Sequence, residues 1–127
     1  MHRYAAMLFS LLGAVVIAFQ IALASGIPWG RLAMGGGFGE VLPPSLRIAA
    51  AVQGGLFVAL CLIVLGRAGL GPWKRLPVWS IWPVVVLMAV SLALNLLTPS
   101  ASERLLWAPV AALLLVSSLI VAVSARK

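Results

Sequence analysis

IAAAVQGGLFVALCLIVL, residues 48–65, contains no Asp, Glu, Lys or Arg. Its apolar side chains show neither the alternation of a barrel strand nor the polar stripe of a surface helix. A helix needs about 20 apolar residues to cross the ~30 Å hydrocarbon core of a bilayer, and this run approaches that length between Arg47 and Arg67. Outward from it, residues 4–24, 79–97 and 105–125 are equally free of ionisable acids and bases of those four types. Backbone polar groups in lipid must be satisfied within the segment or by a closed barrel, so four such runs predict four transmembrane helices. The expected fold is all-α, a transmembrane four-helix bundle, with residues 1–127 forming one integral membrane domain. Composition agrees: 64% of residues are hydrophobic and only 9% are charged, against about 25% in soluble chains.

The nine Lys and Arg residues against two acids give a formal charge of +7. They cluster at segment ends instead of forming a basic stripe mixed with aromatics, so nucleic acid is not an expected partner. Arg3, Arg67, Lys74, Arg75, Arg126 and Lys127 fall on one side of the predicted spans, and Arg31, Arg47 and Arg104 on the other. Basic residues are retained on the cytoplasmic side, which predicts that both termini and the loop at 66–78 are cytoplasmic. Membrane lipids are the expected partners, with anionic headgroups contacting the cytoplasmic side. Glu40 and Glu103 then belong to the outer side. Trp73, Trp79 and Trp82 mark the inner interface, and Trp29 and Trp107 the outer one.

The first run has a second reading. A short basic start, an apolar run and Ala22-Leu23-Ala24 before Ser25 resemble a signal peptide, yet signal h-regions run to only ~7–15 residues. The longer run here is expected to stay as the first span. Small residues recur four apart at Ala14, Ala18 and Ala22, at Ala50 with Gly54, at Ala51 with Gly55, and at Ala89 with Ala93. Such stripes let helix backbones approach closely, within one chain or in a homo-oligomer. Cys61 lies alone deep in the second span and is read as a small apolar residue.

Three amides interrupt the spans at similar predicted depth: Gln20, Gln53 and Asn95. An amide in hydrocarbon needs a partner, so they are expected either to bond one another as a polar packing layer or to line an outward-facing pocket. The connection between the first two spans, residues 25–47, is apolar for a loop and is expected to lie back on the mouth of the bundle. In it Gly35, Gly36, Gly37 and Gly39 permit positive φ and expose backbone amides, and Arg31, Glu40 and Arg47 add charge; together they are a candidate anion nest. The string GGGFG lacks the Thr-Val start of a potassium filter. Before the fourth span, Ser100 and Glu103 form a capping-box pattern, which gives Glu103 a structural task. Pro109 is expected to kink the fourth helix.

No His-Glu-x-x-His, Cys pair or Ser/His/Asp set is present, and the one histidine is His2. Catalytic residues, a metal and a cofactor are therefore not expected. The predicted spans hold no acid of the kind on which small four-span proton-coupled exporters depend.

PWGRLAMGG at 28–36, NLLTPSASER at 95–104 and WAP at 107–109 resemble small, uncharacterised bacterial four-span integral membrane proteins. The resemblance implies a four-span fold in a bacterial cytoplasmic (inner) membrane and brings no activity with it. The leading expectation is a non-enzymatic accessory, structural or oligomeric membrane component, alone or with a partner membrane protein. The alternative is a protein that binds or transports a small molecule or lipid through a pocket under the 25–47 loop. The two differ in one observable, since packing leaves the amides mutually bonded with no void, whereas binding leaves a cavity between them.

Overall fold

The computed structural model describes residues 2–33, 37, 39 and 41–124, with the Arg31 side chain excepted. It contains α1 (His2–Ala24), α2 (Pro44–Arg67), α3 (Ile81–Leu97) and α4 (Ala101–Ser124). All four helices are long and apolar enough to cross a membrane, α3 when taken with the short turn Val78–Ser80 that leads into it. α2 and α4 begin earlier than the charge-free runs, because helices start at backbone signals instead of where charge ends. Pro44 occupies the first turn of α2, where its missing N–H has no helical acceptor in any case. Pro83 lies in the first turn of α3 for the same reason, and α4 runs on through Pro109.

Glycine ends two of the helices. Gly26 (φ 91°) and Gly69 (φ 81°) take the left-handed conformation that a Cβ disfavours. Around Gly26, the Gly26 N–H donates to Leu23 O and the Ile27 N–H to Ala22 O; around Gly69, the Gly69 N–H donates to Gly66 O and the Leu70 N–H to Leu65 O. Both sets form the Schellman arrangement, which satisfies terminal carbonyls that a helix leaves open. Arg47 adds to the first, its Nε donating to Ala24 O at 3.0 Å, so a cation sits at the negative end of α1.

α1 packs along both α2 and α4, and α3 packs along α4, while α2 and α3 barely touch. At the end holding the described termini the interior is filled, by Ala6, Phe9, Val64, Ile81, Val84 and Val121 among others. At the opposite end a smaller cluster of Phe19, Leu23, Ala33, Leu42 and Ala50 joins the helices to the connection between α1 and α2. The described residues 25–33 are folded onto the bundle: the Trp107 indole N–H donates to Leu32 O at 2.8 Å. Phe19 meets the Trp107 ring at 4.7 Å and stacks on Trp29 at 6.2 Å with 5° between planes.

Of the expected small-residue stripes, Ala22, Ala50 and Gly54 are buried, whereas Ala14, Ala18, Ala51, Gly55, Ala89 and Ala93 are exposed. The close approach of α1 and α2 occurs elsewhere, at Gly13, where a Cβ would lie 2.4 Å from Cys61 Sγ. Small residues are abundant on all faces of these helices, so the bulky side chains that need burial, Phe9, Val16 and Phe19, choose the packed face.

Candidate functional site

Because α2 and α3 barely touch, the half of the bundle beneath Leu32 and Ala33 holds a cavity. A cavity of about 660 Å³ is lined by residues from all four helices, within the ~300–1,000 Å³ of ordinary small-molecule sites. Val16, Leu60, Met88 and Leu114 form its deep apolar part, and Leu32, Ala33, Phe19 and Trp107 its roof. On the side between α2 and α3 it is open, since Leu56, Val90 and Leu94 line it and are exposed, Leu94 at 64%.

Gln20, Gln53 and Asn95 all line this cavity, brought there from α1, α2 and α3. Among the described residues they do not bond one another. The Asn95 amide donates to Ser91 O at 2.7 Å and to Ser91 Oγ at 3.4 Å, on its own helix. Gln20 Oε1 is buried and has no hydrogen-bond partner among the described residues. An amide oxygen out of water with no donor costs on the order of 1–3 kcal/mol.

Two further polar residues reach the cavity, Thr98 and Glu103. Thr98 caps the end of α3 and Glu103 lies in the first turn of α4, and both are buried, each at 7% exposure. Ser100 Oγ accepts from the Glu103 N–H at 3.2 Å, one half of the capping box. The Glu103 carboxylate accepts from the Thr98 hydroxyl, which in turn accepts from the Ser100 N–H at 3.4 Å. Arg104 Nη1 donates to Thr98 O at 3.0 Å and holds the same turn from outside. The helix cap thus places a buried acid on the cavity wall, inside the first turn of α4. Sequence reasoning assigned Glu103 a capping task on the outer side and found no acid within the spans. The signal that was available is that one of only two acids in an apolar chain falls beside a Thr-Pro turn directly after Asn95.

Of the candidate loop residues, Gly37, Gly39 and Arg47 are described, and none of these three lines the cavity. Arg47 is engaged at the end of α1. Gly39 has φ 83°, and the space where a Cβ would stand is open at both Gly37 and Gly39. Gly35, Gly36, Glu40 and the side chain of Arg31 lie outside the described residues. Comparison of the chain with protein-family models, curated proteins and solved structures finds no match.

Proposed function

We propose that this is a non-enzymatic multi-pass protein of a bacterial inner membrane that binds a small amphipathic molecule or lipid in the cavity beneath Leu32 and Ala33. The observation that carries this reading is the void itself: Gln20, Gln53 and Asn95 face a common space without satisfying one another. A layer of interhelical glue would bring amide to amide and leave no room. The apolar depth and the polar upper wall together suit a ligand with one apolar and one polar end. The gap between α2 and α3 gives such a ligand direct access from surrounding lipid, without passage through the roof formed by Leu32 and Trp107.

Native mass spectrometry of the protein released from lipid nanodiscs tests the reading. One retained amphipathic molecule per chain is expected. A bare monomer under gentle release would sink it. The exposed small residues Ala14, Ala18, Ala89 and Ala93 favour a second reading, an oligomeric or accessory component in which another copy or a partner helix fills the cleft. In that case the released species is a dimer or a complex and carries no ligand in the cleft.

The orientation belongs to the same proposal. The six basic residues at one end against three at the other support a cytoplasmic side for both termini and the loop around Lys74. A reporter fused after Lys127 should be active only on the cytoplasmic side; a periplasmic signal would invert the arrangement and open the cavity toward the inner leaflet.

A further inference from the structure

Resting on the reading of the cavity as a ligand site, we infer that it takes one acyl chain of a two-chain bilayer phospholipid, laid in sideways between α2 and α3, while the head and the second chain stay outside the bundle. The shape of the opening carries this. On α3 the cavity is lined by Leu87, Val90, Leu94 and Leu97, which recur three or four apart and are all exposed, from 41% at Leu87 to 79% at Leu97. Leu56 lines it from α2 and is exposed as well. The opening is therefore a slot that runs along the helices, because residues at that spacing share one helix face. At ~1.5 Å of rise per residue, 87–97 cover ~15 Å, half of the ~30 Å hydrocarbon core. An acyl chain of one leaflet has the same reach and direction, so it enters from the side along its whole length.

The two ends of the slot separate chain from head. At the deep end Leu60, Met88 and Leu114 are buried, at 4%, 2% and 2% exposure, and offer only apolar contact. At the upper end the Trp107 indole N–H holds Leu32 O, so the roof covers the space directly above the chain. The head leaves through the slot, beside Leu97 and Pro99, at the level where α3 ends.

Volume and chemistry decide among the fillings. A buried water needs ~2–4 polar partners, which the deep walls at Leu60, Met88 and Leu114 do not supply. A helix with its side chains is ~10–12 Å across, so ~15 Å of it occupies on the order of 1,000 Å³ or more, beyond the cavity's volume of about 660 Å³. At the ~30 Å³ share of a water molecule in the liquid, which a methylene group roughly matches, this volume holds on the order of twenty chain carbons. One acyl chain fills it, and two do not fit. Left empty, the walls would lose the dispersion contacts that a chain restores.

The test uses the full-length protein in phosphatidylcholine nanodiscs doped with one of three photoreactive probes. These are a phosphatidylcholine with a diazirine near the methyl end of one chain, the same lipid with the diazirine on its head, and the free fatty acid carrying the same labelled chain. Tandem mass spectrometry after irradiation locates the adducts. We expect the chain-labelled lipid to mark Met88 and Leu114 at least about tenfold more than the head-labelled lipid does, and the head-labelled lipid to mark residues 97–99. Adducts of the head-labelled lipid on the deep walls would overturn the arrangement of chain inside and head outside. Adducts there from the free fatty acid alone would overturn the two-chain lipid and leave a ligand site standing. No adducts on the deep walls from any probe would overturn both the lipid and the site. Leu87→Trp narrows the slot at an exposed position, and it is expected to cut chain labelling at Leu114 severalfold while labelling of the exposed Val116 and Val123 stays unchanged. Undiminished labelling at Leu114 in this variant would overturn entry through the slot.

Discussion

Gly66→Ala is expected to lower the thermal unfolding temperature in detergent by on the order of 10 °C, a loss of about 2 kcal/mol or more. Alanine in a helix is normally favoured over glycine by about 1 kcal/mol, so the sign depends on what the new methyl meets. Here a Cβ would stand 2.1 Å from Trp73 O and 2.9 Å from the Trp73 carbonyl carbon. Both are backbone atoms and have no rotamer with which to move aside. The 68–77 segment would have to lift from α2, weakening the bond from Arg67 Nη1 to Leu76 O at 3.1 Å. Gly55→Ala in the same helix serves as the comparison, since nothing lies within 4 Å of its Cβ position. This variant should be unchanged or more stable by about 0.5–1 kcal/mol. Equal melting temperatures for the two would show that the 68–77 segment is not seated on α2.

Ala111→Phe should abolish ligand retention, lowering it by at least about a hundredfold, while the melting temperature stays level or rises. Ala111 is buried at 3% exposure and lines the cavity between Trp107 and Leu114 on α4. A benzyl group there has a void to enter, and filling it adds dispersion contacts that the empty wall lacks. Ordinary overpacking behaves differently, costing ~1–3 kcal/mol. Leu94→Trp gives an independent check at the open side between α2 and α3, where an exposed position tolerates bulk without disturbing the core. It should slow loading from lipid about tenfold or more with little effect on folding. Retention by Ala111→Phe at the wild-type level would place the ligand outside this cavity.

The same cavity explains why Asn95 is a poor candidate for interhelical glue. Its amide bonds back to Ser91, so Asn95→Leu removes no bond between helices among the described residues. The expected consequence is weaker ligand retention instead of a less stable bundle. Depth along each helix was readable from spacing at ~1.5 Å per residue. Which partner each amide finds was not, because an amide can turn to its own preceding turn as readily as to a neighbour.

The sequence by itself determined that four helices form and that each is long and apolar enough to cross a membrane, because charge exclusion from hydrocarbon acts on each segment separately. It also placed Gln20, Gln53 and Asn95 at one end of those helices, and it marked Ser100 and Glu103 as a cap through purely local backbone chemistry. Only the tertiary structure decided that α2 and α3 part company, that Gly13 and not the Ala14-Ala18 stripe meets α2, and that Glu103 turns its carboxylate to Thr98 on the wall of a cavity. Lipid is as apolar as the side chains it surrounds, so hydropathy does not distinguish a face packed on another helix from one left in lipid. Shape complementarity between distant segments makes that distinction, and it is written in the fit of Phe9, Val16 and Phe19 against their neighbours, which no single helix contains.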